Sequence, residues 1–206
     1  MRSSQIRLGR FRLLLAVLVL AAFGCGTALA RERPVTTPAA RFLQDTLDRA
    51  FDLARPPVSE QAASDLANLI GRAMDWPALS RFASGHYGAR LDADGMGRVT
   101  ERLERHVTTL ARRAGAEFPT LTVAIHDLRL DPDGSRRILS TATVPRFGVV
   151  EVQWTLVPGQ SGYRIADVKA LGMTLSQFLR SWVASLVAAQ GGDAAATFGN
   201  PATSPR

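Results

Sequence analysis

The stretch Y163-R-I-A-D-V-K-A-L-G-M-T-L-S-Q-F-L-R-S-W182 changes period halfway, and that change sets the fold class. From Tyr163 to Ala170 it reads as an extended strand. From Leu175 onward the apolar residues Leu175, Phe178, Leu179, Trp182, Val183, Leu186 and Val187 recur at the three-and-four spacing of a helix. Between the two, Thr174-Leu175-Ser176-Gln177 has the form of a capping box, in which the threonine and glutamine each satisfy the other's backbone N–H. A sharp strand-to-helix corner follows, and the helix folds back over the sheet. Its apolar stripe is expected to face Val152, Trp154 and Ile165, either as filled core or as the lining of a site for an oily ligand; the pattern alone leaves both open.

Upstream of this corner the period is two. Leu121, Val123 and Ile125 alternate with Thr122 and Ala124, Ile138 to Val144 forms a second run, and Val150, Val152, Trp154 and Leu156 alternate with polar neighbours in a third. Asp131-Pro132-Asp133-Gly134 and the "PGQSG" segment are turns, so the strands form an antiparallel meander of four. The chain before Gly115 is helical. Thr37-Pro38 starts a helix that Pro56-Pro57 stops, Ser59 starts a second, Asp75 caps a short third, and a fourth runs from about Asp92 to Arg113 with Met96, Val99, Leu103, Val107 and Leu110 on one face. An antiparallel sheet must cover one face, and these helices are the cover available. The expected fold is α+β: a helical N-terminal half packed on a four-stranded antiparallel sheet, closed by a C-terminal amphipathic helix, with an apolar cavity between helices and sheet.

The 206 residues divide unevenly. Residues 1–30 have the three-part layout of a secretory signal: Arg2, Arg7, Arg10 and Arg12, then an apolar run too short to span a bilayer, then Ala28-Leu29-Ala30 as a cleavage site. A competing reading makes Cys25 a lipid-modified N-terminus, although Phe23 and Ala22 stand where such a signal usually has a small residue and a leucine. Cleavage after Ala30 removes the only cysteine and with it disulfides and thiol chemistry. It also lowers the formal charge from +7 to +3, because residues 1–30 hold four arginines and no acid. Residues 31–190 form one domain, and the Gly/Ala/Pro-rich stretch 191–206 is expected to be a flexible tail. The mild basicity, carried almost wholly by arginine without interleaved aromatics, argues against nucleic-acid binding. The helix-face arginines Arg98, Arg102, Arg105, Arg112 and Arg113 are either a solvated face or a source of weak steering toward anionic headgroups or acidic partner surfaces, so transient membrane-surface contact is expected.

Catalytic patterns are weak. His86, His106 and His126 fall on three different elements without ligand spacing, Ser161 sits in a hairpin turn, and the 131–134 turn lacks the remaining oxygens of a calcium loop. Asp167 beside an apolar interior could serve as a base in a cone-shaped isomerase, but a structural hydrogen bond, or an ion pair with Arg180, is the simpler role. No enzyme activity, metal or cofactor is expected.

The block from Gly162 to Val187 resembles the C-terminal signature of the MlaC, or toluene-tolerance, family of periplasmic lipid-binding proteins, at Tyr163, Asp167, Val168, Gly172, Leu175, Phe178 and Arg180. A second block, "DWPALSRFASGHYG", is similar to the family's aspartate-led helix at Asp75, Leu79, Phe82, Gly85 and Tyr87. The Trp76-Pro77 pair, Tyr87 where the family commonly has a Tyr-Trp pair, and the absence of closing leucines depart from the pattern and are compatible with a divergent branch, such as the hopanoid-associated members. The resemblance implies a carrier that moves phospholipid, or a related envelope lipid, across the periplasm between an outer-membrane lipoprotein complex and an inner-membrane ABC transporter complex. Its lipid-binding residues would be Phe82, Tyr87, Val150, Val152, Trp154, Ile165, Met173, Leu175, Phe178 and Trp182. The alternatives are an envelope adaptor without bound lipid and a cone-fold isomerase.

Overall fold

Each helix begins at a residue able to satisfy its free amides. The computed structural model describes residues 37–117, 122–144, 148–160 and 162–198. Helix α1 (Pro38–Ala54) starts with Thr37 Oγ1 accepting from the Ala40 N–H, and α2 (Glu60–Ala73) with Ser59 Oγ accepting from Ala62. Helix α3 (Trp76–Ser84) is capped by Asp75, whose carboxylate accepts from Ala78 at 3.2 Å. Asp92 does the same for α4 (Ala93–Glu117) through Gly95 at 2.6 Å. A cap of this kind contributes about 1 kcal/mol. Between α3 and α4 the chain makes a 3-10 turn, Gly85–Arg90. Gly85 is required there: its φ is +52°, and a Cβ would lie 3.1 Å from the Arg180 guanidinium.

The sheet follows as an antiparallel meander in sequence order, β1 (Thr122–Leu130), β2 (Arg136–Val144), β3 (Gly148–Gly159), β4 (Gly162–Ala170) and β5 (Met173–Thr174). It has five strands where the sequence pattern led to four. The added strand arises because Leu171 and Gly172 both take positive φ, +51° and +80°, which makes a two-residue hairpin and pairs Ala170 with Met173 and Lys169 with Thr174. Helix α5 (Leu175–Ala189) then leaves the sheet through the expected capping box, with Gln177 N–H to Thr174 Oγ1 at 3.2 Å and Thr174 N–H to Gln177 Oε1 at 3.1 Å. A last short helix, α6 (Ala194–Phe198), lies within the stretch expected to be a flexible tail, and its Phe198 is buried beside α4 and α5. The expected signal, residues 1–30, lies outside the described residues.

The core lies between the helices and one face of the sheet. Ile138, Trp154 and Val168 stand abreast across β2, β3 and β4, and Ser140, Val152 and Ala170 form the next rank; all six are buried. A bulge at Thr155/Leu156 turns Ile165 to the same side. The helical side contributes Leu43, Leu47, Phe51, Leu66, Leu79, Val99, Leu103 and Val107. In α4 the buried stripe passes to Ala111 and Ala114 while Leu110 stays partly exposed, because a straight helix at 3.6 residues per turn drifts away from a seven-residue repeat. The segment joining α2 to α3 is tied to the sheet by the Asp75 N–H, which donates to the Ile165 carbonyl at 2.9 Å.

Candidate functional site

Between the inner face of the sheet and the helices above it lies an apolar cavity of about 50 Å³ that opens to solvent past the partly exposed Thr46, Leu69 and Ile70. Its walls are Leu47 and Ala50 from α1, Leu69, Ile70 and Ala73 from α2, Met74, Val107 from α4, and Trp154, Ile165 and Val168 from the sheet, with Thr46 as the one hydroxyl. Trp154 can stand in this wall because its polar atom is satisfied elsewhere. The indole N–H donates to Ser140 Oγ at 2.8 Å, and that hydroxyl reaches the Val152 carbonyl at 3.4 Å. A buried indole without this partner would cost about 1–3 kcal/mol.

The ten residues expected to line a lipid site separate into groups. Val150, Val152, Trp154 and Ile165 share the inner face of the sheet and are buried, and Leu175 is buried at the first turn of α5. Only Trp154 and Ile165 line the cavity. Phe178 and Trp182 do not face the sheet as expected. The buried stripe of α5 is Leu175, Leu179, Val183 and Val187, and a residue three further along a helix is rotated about 60° from it. That rotation brings Phe178 and Trp182 to α4, where both rings stack on His106, with centroid distances of 5.9 and 4.1 Å. Phe82 is 45% exposed on the outer side of α3, with the Arg180 guanidinium 5.6 Å above its ring. Tyr87 lies against His86 in the 3-10 turn with the two rings tilted by 41°, and Met173 sits half-buried on the short strand β5. The contributions of α1 and α2, from Leu47 and Ala50 to Met74, were absent from the expected set. Their only sequence signal was membership of an apolar helix stripe, which core packing explains equally well.

Of the polar groups near this interior, Asp167 is engaged structurally, whereas the buried Trp76 Nε1 and His106 Nε2 have no hydrogen-bond partner among the described residues. Asp167 accepts three hydrogen bonds, from Ser176 Oγ at 2.6 Å, from the Ser176 N–H at 3.1 Å and from the Val168 N–H at 2.8 Å. The expected hydrogen-bond role is therefore realised with Ser176, while Arg180 turns to Phe82. His106 is held neutral: burial first, and the Arg113 charge second, lower its pKa to about 4. His86, His106 and His126 lie on the 3-10 turn, α4 and β1, and His126 Nε2 is 2.6 Å from Thr141 Oγ1 on the opposite face of the sheet.

No protein-family profile and no curated protein matches the chain. Among solved structures, the chain is similar to a phospholipid-binding protein from Ralstonia solanacearum, solved in complex with a phospholipid, with a TM-score of 0.59 and 17% sequence identity over 78% of this chain and 90% of that one. At this identity the likeness is one of fold, the helices-over-antiparallel-sheet architecture derived above.

Proposed function

We propose that this protein binds a phospholipid by its acyl chains between the helical layer and the inner face of the sheet, and carries it without chemical change. The observation that carries this reading is the apolar void between α1, α2 and the Trp154–Ile165–Val168 wall, in a fold shared with a chain solved holding phospholipid. Each methylene removed from water is worth about 0.8 kcal/mol, so a two-chain lipid needs such a shelter to cross an aqueous space. The cavity of about 50 Å³ is far below the several hundred Å³ that ligands of this size occupy. Loading therefore requires α1 and α2 to move off the sheet, with Leu47, Ala50, Leu69, Ile70 and Met74 turning from contacts with one another to contacts with the tails. The headgroup stays near solvent.

The finer reading is a shuttle in the periplasm, delivered there by the signal in residues 1–30, that exchanges lipid between an outer-membrane complex and an inner-membrane transporter complex. The resemblance to the MlaC family supports this, and the Trp76-Pro77 pair is a departure from that family's pattern of the kind a divergent branch, such as the hopanoid-associated members, would carry. Purification without detergent, solvent extraction and mass spectrometry test the proposal. Phospholipid recovered in near-equal amount to protein is the expected result. Lipid-free protein that takes up none from vesicles would favour the adaptor, and turnover of a ketone substrate would favour the isomerase.

A further inference from the structure

A second groove lies on the outer side of the helical layer, between α4 and α5. It has a volume of about 430 Å³ and is bordered by Arg102, Arg105 and Arg113, with Leu110, Trp182 and Leu186 along its floor and far wall. The three arginines are exposed, while the three apolar residues are partly exposed. Arg102 to Arg113 spans about 16 Å of helix at 1.5 Å per residue. No acidic side chain is among the described residues lining this groove. Glu101 and Glu104 lie in the neighbouring groove, toward Ala63 and Ala67 of α2, which Arg105 also borders, so Arg105 stands on the ridge between the two grooves.

The placement is held by packing. The Arg102 guanidinium lies 5.3 Å from the ring centroid of the buried Phe198, and Arg98 Nε donates to the Phe198 carbonyl, so α6 braces the N-terminal end of the row. Trp182 is fixed by its stack on His106. A row of cations beside a fixed indole and two leucines has the chemistry of a membrane interface: guanidinium groups meet phosphates, and a tryptophan and aliphatic chains settle at headgroup depth.

We propose that the α4–α5 groove docks this protein on the surface of an anionic phospholipid bilayer. The charge selects the bilayer: each arginine near a negatively charged membrane contributes about a fivefold gain in binding. Docking here is separate from acyl-chain binding, because none of the groove residues lines the interior cavity.

The test uses the purified protein with phosphatidylcholine vesicles prepared with and without phosphatidylglycerol. Co-sedimentation is expected only with the anionic vesicles and should weaken as salt is raised, because exposed charges are screened. The protein has three tryptophans, of which Trp76 and Trp154 are buried, so a blue shift of emission on binding should come from Trp182 and vanish in Trp182→Phe. Arg102→Glu/Arg105→Glu should bind anionic vesicles at least tenfold more weakly, and Arg113→Glu should weaken binding in the same direction. Equal binding to both vesicle types, or undiminished binding by the folded double variant, would overturn the proposal. Lipid extracted from the same samples reports on the interior cavity, so failure of the carrier function and failure of docking give different patterns.

Discussion

Asp167 Oδ2 accepts the Ser176 hydroxyl at 2.6 Å while Oδ1 accepts the Ser176 N–H at 3.1 Å, so one carboxylate on β4 clamps the first turn of α5. A negative charge at a helix N-terminus is favoured by the free amides there, and hydrogen bonds to a charged group are worth about 1.5–3 kcal/mol. Asp167→Asn should therefore destabilise the protein by about 1–2 kcal/mol in urea unfolding, with its fold intact. A variant as stable as wild type would mean that the clamp is dispensable and that the capping box of Thr174 and Gln177 holds the corner alone.

Leu171 is the one non-glycine residue with positive φ among the described residues, and it is exposed at the tip of the β4–β5 hairpin. Left-handed backbone costs a leucine about 1–2 kcal/mol, whereas asparagine tolerates it and is preferred before glycine in this turn. Leu171→Asn is expected to raise thermal stability by an amount equivalent to about 1 kcal/mol. A fall in melting temperature would show that the exposed side chain makes contacts that outweigh the strain.

The helix caps and the Leu171-Gly172 hairpin show where the sequence was legible and where it was not. Thr37, Ser59, Asp75, Asp92 and Thr174 announced their helices because a cap is a contact between near neighbours in the chain. The leucine of Leu171-Gly172 hid a hairpin that asparagine would have advertised, and a strand of two residues is too short to have a period. In α5 the apolar residues cover more than one face, and periodicity cannot say which flank the sheet takes. The buried line proved to be Leu175, Leu179, Val183 and Val187, on a helix that packs mainly against α3, and His106, some seventy residues away in sequence, claimed Phe178 and Trp182. Phe82 was misplaced for a related reason: its neighbours Leu79 and Ala83 fill the buried side of α3 and leave it outside.

His106 gives a pH dependence with a definite sign. Its native pKa is lowered to about 4, whereas an unfolded histidine titrates near 6.5. Between these values the unfolded chain binds a proton that the native protein does not, so stability falls as pH is lowered from 6.5 toward 4 and is unaffected by this group above that range. After allowance for the ring's partial exposure, the loss is on the order of 1–2 kcal/mol. His106→Phe keeps an aromatic ring against Phe178 and Trp182 and removes the proton. Urea midpoints measured across this range should fall less steeply for the variant than for wild type. Parallel pH profiles would assign the acid sensitivity to carboxylates instead.

Filling the interior separates a lipid site from a mere packing defect. Ala50 lines the cavity from α1, and a leucine there would project three more carbons toward Ile165 and Val168. If the void is a defect, occupying about 50 Å³ should recover about 1 kcal/mol, at roughly 24 cal/mol per Å³, and nothing else should change. If the void is the closed form of an acyl-chain site, the same stabilisation acts on the lipid-free state alone. The helices must part to admit the tails, and a closed state made more stable by about 1 kcal/mol weakens loading about fivefold. Ala50→Leu is therefore expected to melt higher than delipidated wild type and to purify with much less phospholipid. A variant that melts higher yet carries the wild-type amount would place the acyl chains away from the Trp154–Ile165 wall. A variant that melts lower would mean that the leucine overpacks the gap, and Val168→Ile, which adds a single methylene from the opposite wall, then repeats the comparison with less strain.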